Sequence, residues 1–125
     1  MTEHFPDLEI YLLKPDQAAI ESWLQQCWPQ LQTLQQGERF HWRADTEQGL
    51  MDIYLNSQAE KNFASLWFKQ NRTAWRNDLE CARAAHAALQ VEIRCSAAGW
   101  QEDDGEDDSG WIKLIRGEEK PFTWR

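Results

Sequence analysis

Six side chains in the middle of the chain have types and spacing that suit binding or chemistry: His41, Arg43, Asp52, Tyr54, Ser65 and Trp67. They alternate with apolar neighbours on the segments 39–45, 50–57 and 63–69. Period-two alternation of this kind marks a half-buried strand. If 46–49 is a hairpin loop, Asp45 opposes Leu50, and counting back pairs Ala44 with Met51, Trp42 with Ile53 and Phe40 with Leu55. If 58–61 is the next turn, Leu55 opposes Ala64, Ile53 opposes Leu66 and Met51 opposes Phe68. One face of this meander is then apolar throughout, and a slip of one residue would turn every side chain to the wrong side.

The other face carries Arg43, Asp52 and Trp67 in one row and His41, Tyr54 and Ser65 in the next, with Tyr11 and Arg94 expected nearby. Tryptophan, tyrosine and arginine are the residues that dominate protein–protein hot spots. The plainer alternative is a solvated cross-strand Arg43–Asp52 pair contributing roughly 0.2–1 kcal/mol, shielded by the rings.

A second candidate is acidic. Glu102, Asp103, Asp104, Glu106, Asp107 and Asp108 place six carboxylates in one short segment, with Trp100 and Trp111 at its two bases. Carboxylates at this density suit a hard cation. The calcium-loop spacing is absent, however, because Gly105 follows adjacent acids and no glutamate lies at the required offset. The segment therefore reads as a solvated hairpin tip, or as a surface that docks on a basic protein. Removing those six charges from the formal −8 leaves −2 on the remainder. No basic stripe is left, which argues against nucleic acid as a partner.

Thiol and imidazole chemistry is weaker still. Cys81 and His86 are five residues apart, about 140° around a helix, and share no face. Cys95 alternates inward with Val91 and Ile93 as a small buried hydrophobe would. Cys27, Cys81 and Cys95 form neither a disulfide framework nor a zinc-like spacing. The sequence contains no phosphate-binding glycine loop, nucleophile elbow or zinc-protease motif.

These residues need elements to hold them. Leu8–Leu13 alternates as a first strand. Asp16 can cap a helix whose buried stripe is Ile20, Trp23, Leu24 and Cys27, ending at Trp28-Pro29 because the residue before proline avoids the α region. The glutamine-rich stretch 30–36 reads as a short helical piece stopped by Gly37. A second helix is expected from Thr73 to Leu89, with Thr73 as its cap and a stripe through Trp75, Leu79, Ala82, His86 and Leu89. Its flanking strands, 63–69 and 91–96, should run parallel in one sheet with the helix on a face. Strands at 111–116 and 121–125 follow, the last tolerating Pro121 at an edge.

The expectation is one α+β domain over 1–125. It has a single mixed, mostly antiparallel sheet of six or seven strands and two helices on one face, in the order β-α-β-β-β-α-β-β. A βαββ pseudo-repeat is expected over about 8–57 and 63–125. Eight tryptophans exceed what a small core can hold centrally, so some belong on a contact surface. With no leader-like N-terminus and no apolar run of membrane-spanning length, the expected setting is cytoplasmic, away from membranes.

Function is expected to be non-enzymatic protein binding, accessory or inhibitor-like, to another protein or to a second copy as a homodimer. The binding residues are Arg43, Asp52, Trp67, His41, Tyr54, Trp100 and Trp111, with no cofactor and no metal. The alternative is a small-molecule-binding protein or an enzyme with a pocket near Arg43, Asp52 and Trp67.

Overall fold

The computed structural model describes residues 5–37, 39–60, 62–96 and 110–123. The acidic segment, Trp100 and Trp124 lie outside the described residues. The elements are β1 (Leu8–Leu13), α1 (Gln17–Cys27), β2 (Gln32–Gln35), β3 (Arg39–Thr46), β4 (Gly49–Glu60), β5 (Phe63–Phe68), α2 (Asp78–Leu89), β6 (Ile93–Ser96), β7 (Gly110–Ile115) and β8 (Glu118–Thr123).

The strands form one sheet in the order β2-β3-β4-β5-β1-β6-β7-β8, and every neighbouring pair is antiparallel. The α+β class is as expected; the strand count is eight, and no parallel pair makes the sheet mixed. The extra strand is β2, in the glutamine-rich stretch expected to be helical. Its four residues are all exposed, and pairing with β3 satisfies a backbone that has no apolar stripe to bury as a helix.

β5 and β6 do share a direction, because each pairs antiparallel with β1, which lies between them. The helix crossing from β5 to β6 therefore spans the central strand. Both helices contribute to one core on the same side of the sheet, where Ile20, Trp23 and Leu24 of α1 and Leu79, Ala82 and Ala85 of α2 meet Leu8, Ile10, Trp42, Ile53 and Leu66. Phe40, placed in that core by sequence, packs against it half-buried.

The β3–β4 register is the one derived from the sequence, from Asp45↔Leu50 to Phe40↔Leu55. The β4–β5 register is displaced by two residues: Leu55 faces Leu66, Ile53 faces Phe68 and Tyr54 faces Trp67. The hairpin closes later than 58–61, at Glu60↔Phe63 with Asn62 left-handed at φ 67, and an irregularity between Asn56 and Glu60 absorbs the difference. A two-residue shift keeps the parity, so each side chain stays on its expected face while its neighbours change.

The helix ends also differ in part. Asp16 caps α1 through Ala18 N–H (3.1 Å), and the helix ends at Trp28 as expected. Cys27 is exposed and is no part of the buried stripe. α2 starts at Asp78 rather than near Thr73; its cap is Asn77, whose Oδ1 accepts from Glu80 N–H at 2.9 Å. Thr73 is buried in the preceding loop, donating to Asn71 Oδ1 (2.6 Å) and accepting from Trp75 N–H (3.0 Å). Asn71 in turn donates to the carbonyls of Phe5 and Trp75, tying the chain before β1 to the loop before α2. A hydroxyl and an amide that serve a loop in this way are drawn out of helix formation.

Candidate functional site

With both helices on one side, the other face of the sheet carries the polar residues singled out by sequence. Asp52, outward on β4, is its hub. Its Oδ1 accepts from Arg43 Nε at 3.0 Å and lies 2.8 Å from His41 Nε2; Oδ2 accepts from Gln70 Nε2 at 3.1 Å. Gln70 also accepts from Asp52 N–H through its Oε1 at 2.7 Å. The Asp52 side chain is only 14% exposed. Burial raises its pKa, but the hydrogen bonds from His41, Gln70 and Arg43 outweigh that and hold the carboxyl at about 2. Both carboxylate oxygens are engaged, so this group acts as an anchor rather than as a free acid or base.

From His41 a row of rings crosses the sheet. His41 stacks on Tyr54 with centroids 4.3 Å apart and planes at 15°, and Tyr54 lies 5.6 Å from Trp67. The row follows directly from the register, in which His41 faces Tyr54, Tyr54 faces Trp67 and Trp67 faces Glu9 of β1. Trp67 donates its indole N–H to Asp7 Oδ2 at 2.8 Å and remains half-buried.

Beside the row is a depression of about 410 Å³, walled by Tyr54 and Trp67, with Ser65 in its lining and Arg39 and Glu9 at opposite sides. Arg43 and Asp52 lie outside this lining, because the two-residue shift puts Tyr54, not Asp52, beside Trp67.

Trp111 sits on the same face farther along, edge-to-face with Tyr11 at 5.8 Å. Arg94 lies between these groups, 2.9 Å from Glu92 and 4.3 Å above the Phe63 ring centroid. Of the residues proposed from sequence, Arg43, Asp52, His41, Tyr54 and Trp67 form one continuous patch. Trp111 joins it only across β1, and Trp100 falls outside the described residues.

Sequence reasoning missed Gln70, Asp7, Glu9 and Asp78. Glu9 was legible by its parity on β1. Gln70 and Asp7 lie in loops, where no periodicity places a side chain. Asp78 accepts from Glu9 N–H at 3.1 Å, and burial, followed by the charges of Asp7 and Glu9, lifts its carboxyl to about 6. Burial and the Asp7 charge likewise raise Glu9.

The two buried thiols, Cys81 and Cys95, and the second histidine are structural. Burial pushes Cys95 up to about 12 and Cys81 well above the ordinary thiol value. His86 Nε2 accepts from Gly117 N–H (3.0 Å), so the Nδ1–H is left to donate to the Val91 carbonyl at 2.9 Å. This ring ties the end of α2 to the β7–β8 turn. Among the described residues no three His, Cys, Asp or Glu side chains converge as metal ligands, and no helix is long and apolar enough to cross a membrane.

The fold and site thus define an α+β protein with one helix-covered face and one polar-aromatic face. Compared with models of known protein families, with curated proteins and with solved structures, the chain gives no match.

Proposed function

We propose that this is a non-enzymatic binding protein of the cytoplasm that docks another protein on the outer sheet face. The observation that carries the reading is the row His41–Tyr54–Trp67: three rings, half-buried, on a face that neither helix covers. Rings in this state cost solubility unless something covers them, and together with Arg43 they have hot-spot composition. Asp52 supports the reading, since a carboxylate engaged by His41, Arg43 and Gln70 holds its neighbours in place. The acidic segment adds charge suited to a basic partner, and the overall −8 disfavours a second copy relative to such a partner.

A second reading, a small-molecule site, is favoured by one observation: the 410 Å³ depression falls in the size range of ligand pockets. Trp67→Ala tests the first reading. It should weaken association by about 2 kcal/mol or more, the hot-spot scale, and change unfolding stability by less than about 1 kcal/mol. Sedimentation reads self-association, and affinity capture compared between wild type and mutant reads a hetero-partner. Equal capture by both would exclude this face.

A further inference from the structure

Resting on the reading of the outer face as a docking surface, we infer that the depression beside Trp67 is an arginine site: it receives the guanidinium of an arginine side chain on a basic protein partner.

Two hydroxyls and a carboxylate around the Trp67 side of the depression have no hydrogen-bond partner among the described residues. Ser65 is only 8% exposed, yet its hydroxyl makes no hydrogen bond to a described residue. Among the described residues no fully enclosed side-chain oxygen or nitrogen lacks a partner, and Ser65 belongs to the lining of the depression. The Tyr54 hydroxyl is likewise without a hydrogen bond among the described residues, and so is the Glu9 carboxylate.

The charge is unbalanced in the same place. Asp7, Glu9 and Asp78 lie together, and no described cation forms an ion pair with any of them. Partial burial, followed by the charges of their acidic neighbours, raises Glu9 and Asp78.

Register places these groups around the rings. Tyr54, Trp67 and Glu9 occupy one row on three adjacent strands, and Ser65 stands one step along the strand from Trp67 on the same face. A planar cation in the depression has Trp67 and Tyr54 as its aromatic walls, Glu9 on the neighbouring strand and Ser65 in the lining. Guanidinium fits this inventory best: it is planar, stacks on aromatic faces and carries five donors and no acceptor. Lysine offers a compact charge without the planar fork and should bind more weakly. Arg39 lines the far side of the depression on β3, with β4 and β5 between it and Glu9 on β1.

The test uses the isotopically labelled full chain and N-acetyl-arginine amide as probe, with the lysine and glutamate analogues beside it. Saturable shifts should appear at the Trp67 indole N–H, Tyr54 and Ser65, strongest for the arginine compound. Glu9→Gln keeps the shape of the side chain and should weaken the probe about tenfold, the scale of one charge-assisted hydrogen bond. Ser65→Val, checked for folding by its spectrum, should weaken it less. Absent or unsaturable shifts, equal binding of the glutamate compound, or an unchanged affinity in Glu9→Gln would each overturn the site. In the partner assay, loss of association in Trp67→Ala but not in Glu9→Gln keeps the docking face and removes the arginine from it. A dimer of the chain that Arg39→Glu disperses would make the arginine the chain's own and overturn the hetero-partner.

Discussion

On the helix side of the sheet, Trp75 stacks on Trp23 at 5.7 Å and meets Trp28 and Phe68 edge-on at 5.9 and 5.8 Å. On the opposite side Tyr54 lies between His41 and Trp67 at 4.3 and 5.6 Å. Both are aromatic clusters, and they close differently. The inner one is finished by hydrocarbon from α1 and the sheet, and the nearby Trp42 indole donates to Glu21 at 3.1 Å. The outer one leaves the Ser65 and Tyr54 hydroxyls and the Glu9 carboxylate without hydrogen-bond partners among the described residues, beside half-buried rings. A core needs its polar groups satisfied internally, whereas a binding surface holds some back for its ligand.

Leu66→Ala should break the inner face most severely. Leu66 is fully buried between the sheet and the helices, and its truncation should cost about 2–5 kcal/mol in chemical denaturation through lost transfer energy and a cavity. Trp75→Ala against Trp67→Ala sharpens the contrast. The first should cost about 2–3 kcal/mol of stability and leave partner binding intact; the second should do the reverse.

pH separates the two carboxylates. Asp52 is held at about 2, below its ordinary 3.8, so its stabilising contribution is present above pH 3.8 and is lost as pH falls through 2. Asp78 is lifted from 3.8 to about 6, so the folded state prefers its protonated form. Its contribution is present below pH 3.8 and lost as pH rises through 6. Urea unfolding across pH should show Asp78→Asn flattening the decline between 3.8 and about 6, and Asp52→Asn flattening the rise below 3.8. The smallest effect is expected from replacing residues 103–108 with a Gly-Ser turn: stability within about 0.5 kcal/mol of wild type, as for surface changes, with any loss confined to the partner assay.

Much of this face was legible because strand parity is robust. His41, Arg43, Asp52, Tyr54 and Trp67 all point outward as alternation required, even though the β4–β5 register is off by two. The depression was not legible, because it depends on Tyr54 rather than Asp52 standing beside Trp67. That choice was made by a turn at Asn62 and an irregular stretch after Asn56, neither of which changes the hydrophobic pattern. The start of α2 was misplaced for a similar reason: the apolar spacing runs back through Trp75, while Asn71 and Thr73 hold the loop there by side-chain hydrogen bonds.

Local periodicity by itself determined which residues form the apolar and polar faces, where Asp16 caps the first helix, and that the β3–β4 hairpin turns at 46–49. These follow from steric and solvation rules that act within a few residues. Only the tertiary structure decided that β1 lies between β5 and β6, that Gln70 reaches Asp52, and that Asp7, Glu9 and Asp78 share one corner without an ion pair to a described cation. Such meetings join positions as far apart as 9 and 78. No local pattern encodes them, because they arise when the whole chain finds the packing that buries one face of its sheet.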